Sequence, residues 1–255
     1  MSFKTKLNNI LCIAIFLISA ISNAQNSMLF TQANDLYNQG KYAESIDRYT
    51  EILESENHSE ALYFNLANAH YKLNNIAPSI YYYEKALQLA PNDADIKNNI
   101  AFAKNMTIDA VDVLPEAGFS KIIKSVTNLM SFEDWAKLSV ISVMLFVILF
   151  LIYYFAYSSS RKRLAFIGSA VSIFLLIVAL SFAFQKYNLD QKDKPAIVFV
   201  QEAQIKGEPD LRSEESFKLH EGTKVQILDT VNNWKKIKLT DGKTGWISKE
   251  DIKEL

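Results

Sequence analysis

The residues of this 255-residue chain best able to do chemistry are few: one cysteine, three histidines and three tryptophans. Cys12 lies in an apolar run close to the amino terminus, so the rest of the chain offers no thiol nucleophile, disulfide or thiolate metal ligand. His58, His70 and His220 fall in three different segments, without the close spacing a metal site needs. His220 is expected in a turn, with no cysteine or acidic partner to complete a hydrolytic triad. The expectation is a non-enzymatic chain with no catalytic residues, no bound metal and no cofactor. What remains is recognition chemistry. Asn34 and Asn68 stand 34 residues apart, and an amide can pair with a peptide backbone through both its donor and its acceptor. Trp234 and Trp246 each offer an apolar ring with one N–H that wants a partner. A formal charge of −1, with no long run of one sign, argues against nucleic acid as the partner.

The elements that must position these groups begin with two apolar stretches, 138–157 and 164–184. Each matches the roughly 20 residues a helix needs to cross a bilayer. With Trp135 at the outer interface, the first span is taken as 135–157. Tyr153, Tyr154 and Tyr157 fall near the inner interface. The intervening 158–163 carries Arg161, Lys162 and Arg163, which places that short loop in the cytoplasm and both flanking regions outside it. Neither apolar stretch, 138–157 or 164–184, contains a charged residue, which argues against a transporter or proton path. Ser139, Ser142, Ser169, Ser172 and Ser181, with Gly168, mark expected helix contacts. The amino terminus reads as a secretory signal over 1–24: Lys4 and Lys6, an apolar core at 10–21, then Ser22-Asn23-Ala24. An uncleaved anchor would export the following domain equally. The connector 108–134 is interrupted by Pro115 and Gly118. Within it Phe119, Ile122, Ile123, Val126 and Leu129 recur at helical spacing, with Lys121 and Lys124 on another side. Such a helix either lies on lipid or docks on the preceding domain, and the pattern leaves both open.

Residues 25–107 contain an internal repeat. At a shift of 34, Ala33 meets Ala67, Asn34 meets Asn68, Ser45 meets Ser79, Ile46 meets Ile80, Tyr49 meets Tyr83 and Leu53 meets Leu87. This resembles the tetratricopeptide repeat, with copies at 26–59 and 60–93 and a capping helix at 94–107. Ala33, Gly40, Tyr42, Tyr49 and Ile52 stand at the small, turn and packing positions of the first copy. Leu66, Ala67, Leu73, Tyr83, Ala86 and Pro91 do so in the second. The departures are Asn57 for proline, Asn74 for the turn glycine, and Ser45 and Ser79 for alanine. The resemblance implies a concave groove lined by the first helices, with Asn34, Tyr37, Asn65, Asn68, Tyr71, Lys72 and Asn99 in or near it. Asn34 and Asn65 match two positions of a carboxylate clamp found in some family members, but the basic positions hold Phe30, Asp95 and Asn99. A groove for an extended or helical partner segment is therefore implied, or else these amides are solvated helix surface.

After the linker 185–194 the period shortens. The runs 196–203, 223–230, 235–239 and 244–247 read as strands, with Asp241-Gly242 in a hairpin turn. The segment 219–225, then Trp234, then the run from Asp241 through Gly245-Trp246 resembles the bacterial SH3 domain over 195–255. The resemblance implies that Trp234 and Trp246 help build a partner-binding cleft; core packing is the alternative.

The whole order is a signal, an all-α repeat solenoid, two transmembrane helices and a small all-β SH3-like barrel: a multidomain membrane protein. It resembles the BatE family of the Bacteroidetes aerotolerance operon. That resemblance implies an inner-membrane scaffold with both main domains in the periplasm. It implies membrane-anchored von Willebrand factor A proteins as partners and, indirectly, a MoxR-type ATPase. A cell-wall module that binds peptidoglycan is the other reading.

Overall fold

The structure, a computed structural model, describes residues 26–109 and 118–255. The expected signal and Pro115 lie outside the described residues, as does the side chain of Phe119. The first module is five helices: α1 (26–38), α2 (Tyr42–Glu54), α3 (Glu60–Lys72), α4 (Ile76–Leu89) and α5 (Ala94–Lys104). Local chemistry sets their ends. The Ser59 hydroxyl accepts the Leu62 N–H, and the Asp93 carboxylate accepts the Ile96 N–H, so α3 and α5 each begin on a side-chain cap. Gly40 and Asn74 close the turns within each repeat with φ of 78° and 61°. Asparagine tolerates this left-handed backbone, which explains its place where the pattern expects glycine. Helix α5 stops three residues short of the expected 107, and the Thr107 hydroxyl folds back to donate to the Lys104 carbonyl.

The repeats are stitched by buried side chains. Ala33 and Ala67 have no exposed surface, which lets paired helices approach closely. Ser45 donates to the Ala33 carbonyl at 2.9 Å, and Ser79 to the Ala67 carbonyl at 3.1 Å. The two serine-for-alanine departures are thus one repeated helix-to-helix hydrogen bond, satisfied where burial demands it. Tyr49 and Tyr83 are fully buried between neighbouring helix pairs.

The last module is an antiparallel sheet of seven strands in the order β3-β2-β6-β5-β4-β1-β7. These are β1 (Pro195–Val198), β2 (Glu202–Lys206), β3 (Glu215–His220), β4 (Lys224–Val231), β5 (Trp234–Lys238), β6 (Thr244–Ser248) and β7 (Ile252–Glu254). The core is Val198, Ile205, Leu219, Ile227, Ile237 and Ile247 with their neighbours. The Asp241-Gly242 hairpin forms, with Gly242 at φ 90°. Two expectations need correction. The run 196–203 is two strands, because the chain leaves β1 at Phe199, whose N–H donates to the Asp251 carbonyl. His220 ends β3 rather than sitting in a turn; β3 is too polar, and β7 too short, for alternation to reveal them.

Repeats and barrel cluster into one compact unit, and Asp112–Lys194 forms a second. Within the first unit the barrel packs on the outer face of α4. Phe199 meets Tyr81 edge-on at 5.7 Å, and the Lys253 ammonium stands 4.5 Å from the Tyr81 ring centroid. Ile197 joins the core formed by Ile80, Tyr83, Ala86 and Ile100. Gly222, at φ 83°, lies so close that a Cβ would fall within 3 Å of Ile76, Ile80 and Thr107. Only glycine fits there on both counts.

The second unit holds α6 (Gly118–Thr127), α7 (Phe132–Phe155) and α8 (Ser159–Lys192). Helices α7 and α8 are long and apolar enough to cross a membrane, and their apolar windows are only 11% and 22% buried. Side chains this apolar and this exposed do not form the core of a water-soluble bundle. The expected six-residue loop is shorter: Ser159–Arg163 form the first turn of α8, and 185–192 continue that helix instead of forming a linker. The serines Ser139, Ser142, Ser169 and Ser172 are buried between the helices, but each donates to a carbonyl of its own helix. They act there as small residues, as does Gly168, whose Cβ would meet Leu149 at 2.9 Å. Ser181 is exposed. Trp135 is buried, stacked on Phe182 at 5.0 Å, with its N–H donated to the Thr127 carbonyl.

Candidate functional site

On the first helices of the repeats the asparagines form a ladder. The Tyr49 hydroxyl donates to Asn34 Oδ1 at 2.5 Å, and Asn65 Nδ2 donates to the same oxygen at 3.0 Å. One repeat later Tyr83 and Asn99 donate to Asn68 Oδ1 at 2.5 and 3.0 Å. Burial raises the pKa of both phenols, so they remain donors. Both lone pairs of each asparagine oxygen are thereby used inside the fold. What Asn34 and Asn68 can show a ligand is the Nδ2 amide, a donor.

The ladder borders a cavity of about 280 Å³ lined by Asn34, Tyr37, Asn38, Tyr49, Asn65 and Asn68. No carboxylate, ammonium, guanidinium or imidazole is among its lining residues, and Tyr37 is braced edge-on against Tyr42 at 5.2 Å. Of the residues expected in the groove, Asn34, Tyr37, Asn65 and Asn68 come together here. Asn99 touches the ladder through Asn68. Tyr71 packs against the core of the second repeat, and Lys72 is exposed; neither lines the cavity. Asn38 and Tyr49 are the lining residues that sequence reasoning missed; Tyr49 was assigned to packing alone, and it does both. A neutral, amide-rich, concave surface suits the polar groups of a peptide backbone better than a charged ligand.

On the barrel, Trp234 and Trp246 are half-buried and lie on adjacent strands. The register puts Lys236 opposite Trp246 and Trp234 opposite Ser248, whereas Ile237 and Ile247 alternate to the core side. Both indoles therefore stand on the outer face of the sheet, not in the core. Lys206 of β2 pairs with Trp246 from the other side, and the Lys236 ammonium is 5.9 Å from its ring centroid. The repeats touch β1, β7 and the turn before β4, so docking leaves this face uncovered.

The histidines serve the architecture. His220 does have a carboxylate partner, contrary to expectation, and it comes from 111 residues away: Nδ1 is 2.8 Å from Asp109 Oδ1. The His220 N–H and the Thr223 hydroxyl both donate to Asp109 Oδ2, at 2.7 and 2.6 Å. Burial would raise the Asp109 pKa, but these donors hold it below the ordinary carboxylate value. The hydroxyl points at the acid and not at the imidazole, and Nε2 has Glu202 at 3.9 Å. The arrangement clamps the barrel to the end of the repeats and lacks the nucleophile–base contact of a triad. Nearby, the buried Glu84 accepts from Lys104 at 2.8 Å and Lys224 at 2.7 Å. Burial opposes ionisation there, yet the two ammonium groups hold the pKa below its usual value. His70 stacks on Tyr82 at 5.6 Å and accepts from Asn75. Burial, aided by Lys253, lowers its pKa to about 4. His58 bonds the Tyr63 hydroxyl at 2.7 Å. Among the described residues, no three His, Cys, Asp or Glu side chains are grouped to hold a metal ion.

Comparison with known proteins agrees with both modules. Residues 30–94 match the tetratricopeptide repeat, and residues 202–253 match the bacterial SH3 domain. No curated protein matches the chain. Among solved structures, a Bacteroides ovatus protein provisionally described as protein-binding aligns at 13% identity. The alignment covers 65% of this chain and 98% of that one, with a TM-score of 0.20, too low to bear on the arrangement described above. The chain is thus similar to tetratricopeptide repeats over its first described module and to bacterial SH3 domains over its last.

Proposed function

We propose that this protein is a non-enzymatic, membrane-anchored adaptor. The repeat groove holds an extended segment of another protein, and the tryptophan face of the barrel holds a second ligand. The observation that carries the reading is the neutral amide cavity at Asn34, Tyr37, Asn65 and Asn68, open on one face of the repeats while the barrel covers α4. A groove lined by asparagine amides and tyrosines, with the Asn34 and Asn68 oxygens already engaged, suits backbone recognition and adds little charge discrimination. Repeats and barrel grip each other through Asp109–His220 and Glu84–Lys224, so they share one side of any membrane. Two crossings by α7 and α8 satisfy that requirement, and Arg161, Lys162 and Arg163 favour the cytoplasm for the turn between them. The head then stands in the periplasm. The resemblance to the BatE family supplies the partner class: membrane-anchored von Willebrand factor A proteins, served by a MoxR-type ATPase, in an aerotolerance or stress complex.

Photo-crosslinking from position 37 in intact membranes tests this. The expected product joins the chain to another membrane-anchored protein; only self-crosslinks would overturn the adaptor role. A reporter fused behind Leu255 should be active outside the cytoplasm. The second reading, peptidoglycan binding, is favoured by the half-buried Trp234 and Trp246 on the outer face of the sheet. Retention of the full-length protein on purified sacculi, lost in Trp246→Ala, would select it.

A further inference from the structure

We infer that α6 is an interfacial helix whose free apolar side is seated in the boundary between lipid headgroups and acyl chains, beside the hairpin. The inference rests on the reading of α7 and α8 as membrane spans. Ile122 on α6 and Leu129 in the turn just past its end are 62% and 75% exposed. Ile123 and Val126 form the adjoining, half-buried strip, and Thr127 is fully buried. The apolar arc of α6 is therefore only partly used by its packing on α8.

Two bonds set the depth of the helix. The Thr127 carbonyl accepts the Trp135 N–H at 3.1 Å, in the first turn of α7. Asn128 Oδ1 accepts from Lys186 at 3.2 Å, just past the apolar run of α8. Both hold the end of α6 at the level where one span enters its apolar stretch and the other leaves it. At that same level the exposed apolar surface of α7 begins, at Phe132. Lys121 stands exposed on the other side of the helix, where its ammonium group reaches headgroup phosphates. A helix of this length has little stability of its own in water, so lipid burial of Ile122 and Leu129 also accounts for its folding.

The test uses full-length protein in liposomes, with Cys12→Ser as background and single spin labels at Ile122→Cys, Leu129→Cys, Lys121→Cys and Leu145→Cys. Collision with oxygen, which partitions into lipid, is compared with collision with a water-soluble nickel chelate. The expected pattern is a severalfold excess of oxygen over nickel at 145, a smaller excess at 122 and 129, and the reverse at 121. If 145 is deep but 122 and 129 favour nickel, or exclude both reagents because protein covers them, the inference fails and the spans stand. If 145 favours nickel, the spanning reading fails and takes this inference with it.

Discussion

Shifted by 34 residues, α2 and α4 turn the same side chains inward: Ser45 and Ser79 to an alanine carbonyl, Tyr49 and Tyr83 to an asparagine oxygen. Outward they part. Asp47, Arg48 and Thr50 on α2 stand where α4 carries Tyr81, Tyr82 and Glu84. Asp47 and Arg48 face solvent, while Tyr81 and Glu84 are buried under the barrel. The difference teaches that one internal frame can serve two purposes. The frame builds the groove in both copies, and the outer surface of one copy has become an intramolecular docking site.

The largest effect should come from giving α4 the residue of α2. Tyr81→Asp removes a buried ring that packs on Phe199 and puts a carboxylate in its place; a loss of about 3–5 kcal/mol is expected. Urea unfolding of the full-length protein in detergent would show it, together with faster proteolysis at the barrel. Wild-type stability in that variant would mean the barrel does not rely on α4.

Acid should separate the repeats next. In the first repeat the position of His70 is Leu36, which cannot titrate. Burial holds His70 at about 4, against roughly 6.5 in the unfolded chain. Between those values the unfolded chain binds the extra proton. Stability is then complete above about pH 6.5 and falls by roughly 3 kcal/mol at most as pH drops towards 4. Glu84 and Asp109, whose pKa values are depressed, lose their contribution at still lower pH as they protonate. His70→Phe keeps a ring on Tyr82 and should flatten the profile between pH 6.5 and 4; an unchanged slope would assign it to other groups.

Asn34→Ala and Asn68→Ala each strand a tyrosine hydroxyl, at about 1–3 kcal/mol. Equal costs would confirm a shared frame, and a clear inequality in thermal midpoints would break the equivalence. The smallest effect is expected from Asp47→Tyr, an exposed change on α2 worth within about 0.5 kcal/mol. A large destabilisation there would show that α2, too, meets a covering surface.

Much of the frame was legible in the residues. The coincidence of Ala33 with Ala67 and Tyr49 with Tyr83 locates the helix pairs because packing within a repeat involves neighbours a few turns apart. The groove was readable in outline, through Asn34 and Asn68. Its chemistry was not, since nothing in the spacing says that Tyr49 and Asn65 consume both lone pairs of one oxygen. The docking left a trace that could have been noticed: Tyr81-Tyr82-Tyr83 replaces Asp47-Arg48-Tyr49, a gain of two aromatics on a face that should be wet. The strand β3 was hidden because its residues are mostly polar and exposed, and β7 because it is three residues long and pairs with β1 far back along the chain.

The sequence by itself determined the repeat period, the two apolar helices, the cluster of cations where the second begins and the hairpin at Asp241-Gly242. These follow from short-range periodicity, hydropathy and backbone preference, which act between residues close in the chain. Only the tertiary structure decided that the barrel sits on α4, that Asp109 meets His220 across 111 residues, and that the tryptophans face outward. Those outcomes depend on which surfaces exclude water together, a property of the assembled fold that no local window contains.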